Sequence, residues 1–151
     1  KARRGSRKPR GLTAGRVHVT QGYDVLALEP SDGSVRWTES RADRGALLVT
    51  ENGVFFATDV DEIRARNHDT DQDETDRWTT AIDDEIKRLQ ASDDGLYVVT
   101  ESGLTRVSWD GEIDASADIE AIRSVFVADD RVIVATREET YGLGLDLELP
   151  V

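Results

Sequence analysis

One segment recurs four times along the chain: AGRVHVT at 14–20, NGVFFAT at 52–58, DDGLYVVT at 93–100 and DDRVIVAT at 129–136. Anchored on the closing threonines Thr20, Thr58, Thr100 and Thr136, the copies stand 38, 42 and 36 residues apart. Each copy is short, rich in β-branched residues, and opens on an Ala-Gly, Asn-Gly, Asp-Gly or Asp-Asp pair that favours a turn. A period near forty in a strand-rich sequence predicts the blades of a β-propeller. The runs VFFA, LYVV and VIVA do not alternate between apolar and polar. Such runs predict strands covered on both faces, as in sheets stacked between neighbours.

The period divides the chain into a lead-in at 1–11 and repeats at about 12–42, 43–82, 83–118 and 119–151. The expected fold class is all-β, with about four four-stranded antiparallel blades, as a partial ring or as half of a ring completed by a second copy. Segments 82–90 and 117–124 have local helix propensity, but the repeat argues for strands there. The fourth repeat lacks a last strand and the chain opens on Lys1, which reads as a piece of a longer protein. No run approaches the roughly 18 consecutive apolar residues of a membrane span.

Charge is distributed unevenly. The chain holds 31 acids and 19 Lys plus Arg, for a net charge of −12. Six of the cations, Lys1, Arg3, Arg4, Arg7, Lys8 and Arg10, lie in the first ten residues, and beyond them Lys87 is the one lysine. An acidic surface with arginine in place of lysine fits a protein of an extreme halophile, above all a haloarchaeon, because salt screens the repulsion among its carboxylates. The basic lead-in offers Arg3, Arg4, Arg7, Lys8 and Arg10 to a polyanion. It carries no aromatic residue to stack on bases, so nucleic-acid binding is confined to residues 1–10 if it occurs.

The first repeat is more specific than its strand pattern. GRVHVTQGYDVLALEPSDGSVRW resembles the repeat of PQQ-type β-propellers, with Ala27-Leu28-Glu29 in the Ala-Leu-Asp place, Asp32-Gly33 as the turn and Trp37 as the closing tryptophan. Trp78 closes the second repeat. In the third, Ala115 stands four residues after Gly111, where a tryptophan is expected, and Trp109 lies earlier. Gly33, Gly111, Trp37 and Trp78 are thus the blade-forming residues. A tryptophan there fills the wedge between blades and is expected to give its indole N–H to a backbone carbonyl. The resemblance implies the fold. It also implies quinoprotein dehydrogenases, which hold pyrroloquinoline quinone and calcium, alongside members that bind no quinone, such as a lipoprotein of the bacterial outer-membrane assembly machine and many cell-surface proteins. The chain has no cysteine, and the aspartate and calcium ligands of the dehydrogenases find no match.

The remaining candidates are acidic. HDTDQDETD at 68–76 alternates Asp69, Asp71 and Asp73, with Asp76 beyond, and a hard cation such as calcium takes several such oxygens. Glu74 stands where an EF-hand needs glycine, and a solvated hairpin tip is the simpler reading. Asp83-Asp84-Glu85, Asp93-Asp94 and Asp129-Asp130 sit at turns, where aspartate makes local hydrogen bonds. His18 falls within a strand and His68 beside the acidic loop. No catalytic residues and no resident cofactor are assigned. The expected role is a non-catalytic scaffold for a protein partner, at the cell surface or outside it by resemblance. The alternatives are a fragment of a quinone-dependent dehydrogenase and a nucleic-acid binder.

Overall fold

The computed structural model describes residues 8–13, 16–21, 23–39, 42–68 and 76–148. They form fifteen strands: β1 Lys8–Thr13, β2 Arg16–Gln21, β3 Asp24–Leu28, β4 Val35–Glu39, β5 Ala42–Thr50, β6 Gly53–Thr58, β7 Glu62–Arg66, β8 Trp78–Ala81, β9 Ile86–Ser92, β10 Gly95–Thr100, β11 Leu104–Val107, β12 Ile113–Ala117, β13 Ile122–Val127, β14 Val132–Thr136 and β15 Thr140–Leu143. There is no helix among the described residues; the segments with helix propensity are in β9, β12 and β13. The strands make four antiparallel meanders, β1–β4, β5–β8, β9–β12 and the three-stranded β13–β15. The first sheet begins inside the basic lead-in, since β1 pairs with β2 from Lys8 onward.

The chain separates into two compact units, Lys1–Ile82 and Asp83–Val151. In the first, Val25, Ala27 and Trp37 of one sheet pack on Leu47, Val54 and Phe56 of the next. In the second, Tyr97, Val99 and Leu104 of the third sheet pack on Val125, Val132, Val134 and Leu143 of the fourth. Both contacts follow from the period-two geometry of strands, which sends alternate residues to opposite faces. The apolar runs of β6 and β10 are buried throughout. The run in β14 is not: Ile133 is exposed while Val132 and Val134 are buried. On the other face of the fourth sheet, Phe126 is exposed as well.

The register also corrects the repeat. Gln21 pairs with Asp24 at the end of its hairpin, the place that Thr100 takes opposite Gly103 and Thr136 opposite Glu139. The residue equivalent to the closing threonines is therefore Gln21, and Thr20 lies one position earlier on the other face. A one-residue slip is invisible in a threonine-anchored alignment, yet it exchanges the two faces of a strand.

The threonines earn their recurrence through turns. Thr100 Oγ1 accepts from the Gly103 N–H at 3.0 Å and donates to the Gly103 carbonyl at 3.1 Å. Thr136 Oγ1 accepts from Glu138 and Glu139 at 3.3 and 3.0 Å, and Thr58 Oγ1 from Val60 and Glu62 at 3.3 and 3.2 Å. A hydroxyl here satisfies turn amides that the ladder leaves over. The turns between third and fourth strands use glycine instead. Gly33 and Gly111 have φ of 75° and 92°, and their amides bond back to Glu29 and Ser108. At Gly33 no atom of the described residues beyond its chain neighbours lies within 4 Å of where a Cβ would stand, so the backbone angle selects glycine there. The segment Gly144–Glu148 repeats the hydrogen bonds of Ser108–Glu112, with Leu147 at φ 64° in the place of Gly111.

Candidate functional site

The densest cluster of charge in the described residues lies between the first two sheets. β7 reads Glu62-Ile63-Arg64-Ala65-Arg66, and its alternate residues Glu62, Arg64 and Arg66 share a face. Trp37 and Glu39 share the facing side of β4. Arg66 Nη2 meets Glu39 at 2.5 Å, and Arg66 Nε meets Asp76 at 2.6 Å. Arg64 adds contacts to Glu39 at 3.2 Å, to Glu62 at 3.4 Å and to Asp76 at 3.8 Å. The guanidinium of Arg66 also lies 4.5 Å from the centre of the Trp37 ring and 5.2 Å from that of Phe56. His18, fully buried, has its ring centre 5.9 Å from that of Trp37.

Chemically this is a clasp. Arg66 spends its directional donors on two carboxylates and its flat face on an indole, the geometry that suits guanidinium and not ammonium. Trp37 lies between the first two sheets and is 1% exposed. Its indole N–H, however, has no hydrogen-bond partner among the described residues. What holds the ring among the described residues is packing and the guanidinium on its face. Trp78 behaves differently: it is partly exposed and packs its ring 5.9 Å from Phe55, on the opposite face of the second sheet. Ala115 replaces tryptophan in the third sheet, where it packs against the cluster shared with the fourth. Trp109 lies in the turn after β11, where its Nε1 donates to the Asp93 carbonyl at 3.2 Å.

The acidic-loop metal candidate divides. Asp69, Asp71 and Asp73 lie outside the described residues, as do Arg3, Arg4 and Arg7; Lys8 and Arg10 fall in β1. Asp76 is described, and its oxygens serve Arg66, Arg64 and, at 3.4 Å, the Thr79 hydroxyl. His68 Nε2 donates to the Thr50 carbonyl at 2.5 Å. Among the described residues no group of three or more such side chains is placed to hold a metal ion. The turn acids act locally. Asp84 accepts from the Glu85 amide at 2.9 Å and from the Ser102 amide at 2.8 Å, and from the Ser102 hydroxyl. The Ser102 hydroxyl and amide hold the Asp84 carboxyl at a pKa of about 2, below its ordinary 3.8. Lys87 bridges Glu101 and Glu85 at 3.0 and 3.2 Å, and those bonds, Glu101 first, raise its pKa.

Sequence reasoning did not single out Arg64 and Arg66. The signal was the alternation of two arginines in a strand beside a fully apolar one; their partner Glu39 is too distant in sequence to be read.

No family model matches the chain, and no curated protein matches its sequence. Solved structures match its fold. BamB from Moraxella catarrhalis superposes with a TM-score of 0.70 at 14% identity, over 91% of this chain and 48% of that one. Hsv2 from Kluyveromyces lactis gives 0.74 at 10% identity over 93% and 49%. The C-terminal WD40 domain of Sif2 gives 0.70 at 14% identity over 93% and 44%. These neighbours are β-propellers, and four antiparallel sheets of three or four strands match them along nine-tenths of the chain. The fold is therefore that of a β-propeller, in a chain spanning about half the length of the propellers it matches. No helix among the described residues is long and apolar enough to cross a membrane.

Proposed function

We propose that this chain is a non-catalytic propeller scaffold of the PQQ-like repeat kind, from a halophilic archaeon, that presents its turns to a protein partner. The observation that carries this reading is the occupation of its polar side chains. Arg64, Arg66, Glu39 and Asp76 hold two sheets together, while Asp84, Ser108 and the threonines hold turns. Polar groups used in this way build a rigid frame, and a rigid frame is what displays loops at fixed spacing. Support for the repeat kind comes from the first sheet, where Ala27 and Trp37 are buried and Gly33 turns with a φ of 75°. The haloarchaeal source rests on the surplus of acids and the lysine-poor body.

No resident cofactor belongs to this reading. The test is addition of pyrroloquinoline quinone with calcium, followed by absorbance, thermal shift and dye-linked dehydrogenase activity. The expected result is no saturable change. Saturable quinone binding with turnover would replace the scaffold by the dehydrogenase alternative, and stabilisation by millimolar calcium alone would assign a cation site. DNA binding lost on deletion of residues 1–10 would point to the basic lead-in instead. The positive arm is cross-linked capture of a protein that is released when the turn acids Asp93, Asp94, Asp129 and Asp130 are replaced by Asn.

A further inference from the structure

In the second unit, the loop that leads into each sheet meets the turn between that sheet's second and third strands. The two junctions differ. Register sets their equivalence: Thr100 pairs with Ile86 in the third sheet, and Thr136 with Ile122 in the fourth. Asp84 and Ser102 of the one stand where Glu120 and Glu138 stand in the other. At the third sheet the junction is closed. The Ser102 amide and hydroxyl donate to Asp84, and the Glu101 amide donates to the Glu85 carbonyl at 2.9 Å. The Lys87 ammonium bridges Glu85 of the loop and Glu101 of the turn at 3.2 and 3.0 Å.

None of these bonds has a counterpart at the fourth sheet among the described residues. The donor at Ser102 gives way to an acceptor at Glu138, so the two side chains cannot bond to each other directly. Between loop and turn is a cleft of about 560 Å³, lined by Asp118, Glu120, Glu138 and Glu139 with Arg137 and Tyr141. The Tyr141 hydroxyl donates to Glu139 at 2.9 Å. The side chains of Asp118, Glu120, Glu138 and Arg137 make no hydrogen bond or ion pair among the described residues. The cleft lies on the side of the fourth sheet that packs on the third, since Tyr141 belongs to the apolar cluster the two share. Both of its walls, 118–121 and 136–141, are described.

We propose that this cleft binds the side-chain ammonium of a lysine carried by a protein partner, which does at the fourth sheet what Lys87 does at the third. Glu120 and Glu138 are both acceptors and need a donor between them. The carboxylates are spread over two walls, and no three of them are placed to hold a metal ion. That spread suits a compact charge with three donors on a flexible stem. Ile119 and Tyr141 offer apolar surface to the stem. The third sheet shows the same choice made within the chain, an ammonium seated between a loop acid and a turn acid. Four carboxylates against one arginine leave the cleft negative, and charge complementarity selects a basic partner. This contact rests on the scaffold reading and gives the chemistry of one partner group.

The probe is Nα-acetyl-lysine amide, which carries one ammonium and no other charge. It is titrated into the whole 151-residue chain at low ionic strength and followed by NMR at the carboxyl carbons of Glu120 and Glu138. Saturable shifts at both are expected, with none from the Nε-acetylated probe and a marked loss in about 1 M NaCl. Glu120→Gln with Glu138→Gln should weaken binding by about 3- to 10-fold, the weight of two exposed ion pairs. Glu120→Asp with Glu138→Ser copies the third-sheet bond into the fourth and should abolish binding. Both positions are exposed, so far-UV circular dichroism should stay unchanged in each variant. No saturable shift, equal binding of the Nε-acetylated probe, or equal affinity in both double variants would overturn the proposal. So would tighter binding of spermidine or calcium than of the lysine probe. Binding that appears only after Arg137→Gln would make that arginine the occupant and overturn it too. Quinone turnover would remove the scaffold reading and leave these shifts in place, so the two failures are distinguishable.

Discussion

Removing Arg66 tests whether the clasp between the first two sheets stabilises them. Arg66 is 11% exposed at its side chain, with Glu39 at 21% and Asp76 at 18%, so water screens the three groups only partly. Arg66→Met keeps most of the apolar stem over Trp37 and deletes the charge, leaving Glu39 and Asp76 with only the longer Arg64 contacts of 3.2 and 3.8 Å. Removing one member of a buried pair costs about 3–5 kcal/mol, since the other charge stays behind unpaired. The residual exposure of Glu39 and Asp76 places this case at the lower end, about 3 kcal/mol. At roughly 2–4 °C per kcal/mol for a chain of this length, the midpoint should fall by roughly 6–12 °C. Glu39→Gln alone retains the Arg66–Asp76 bond at 2.6 Å and should cost about 1–2 kcal/mol, the weight of one charge-assisted hydrogen bond. The double variant should then be more stable than the sum of the two losses, by about 1–2 kcal/mol of coupling. The exposed pair Lys87–Glu101, at 45% and 62%, is the control: Lys87→Met should change stability by less than about 1 kcal/mol. Urea melts followed by circular dichroism give all four corners of the cycle. An Arg66→Met variant as stable as the parent, or more stable, would show that desolvation cancels the ion pairs, and the clasp would be incidental to the fold.

Three other perturbations have definite expected outcomes. Asp84 has a folded pKa depressed to about 2 by Ser102, so its contribution to stability is fully present above the unfolded value of about 3.9 and is lost as pH falls through about 2. Ser102→Ala should move the Asp84 midpoint up toward 3.8 in a carboxyl-carbon NMR titration, and an unmoved midpoint would refute the assigned cause. Thr100→Val deletes a buried hydroxyl that both donates to and accepts from Gly103; a loss of about 1–3 kcal/mol is expected, with Thr100→Ser recovering most of it and faster exchange of the Gly103 amide as a local readout. Gly95 combines φ 147° with a position where a Cβ would overlap the Val107 carbonyl oxygen, so Gly95→Ala should destabilise the third sheet by more than about 1 kcal/mol, visible as a lowered melting midpoint.

What the sequence made legible depended on range. Local chemistry carried the turns: Asp32-Gly33, Asp110-Gly111 and the threonines Thr58, Thr100 and Thr136 are written within a few residues of the backbone groups they satisfy. Burial on both faces was legible for β6 and β10 because their runs contain no polar residue. The same reasoning failed for VIVA in β14, because an apolar residue states what a face can bury and not what arrives to cover it. The one-residue slip at Gln21 had a related cause. Thr20 looks like its counterparts as a letter, and only pairing with Asp24 reveals which face it occupies. The clasp lay furthest from view. Its four charges come from β4, β7 and the segment before β8, and no local pattern joins Glu39 to Arg66.

Trp37 shows why the departures matter to function. In a blade that closes by its indole N–H, the tryptophan is a peg with a single bond, and its neighbours are free to vary. Here the same peg carries a guanidinium on its face, and that guanidinium is fixed by carboxylates from both sheets. The wedge thus becomes an ionic joint whose strength depends on burial more than on bulk salt, because contacts of 2.5–2.6 Å lie inside even the roughly 3 Å screening length of molar salt. The exposed turn acids respond in the opposite sense: their mutual repulsion is what salt removes. An acidic chain built this way keeps its first two sheets joined across a wide salt range. The loss of stability caused by Arg66→Met should then stay nearly constant in a salt titration of the melting midpoint, while parent and variant both gain as the surface acids are screened. A loss that shrinks steadily with salt would mean that bulk screening governs the joint, and the joint would lose its distinct role.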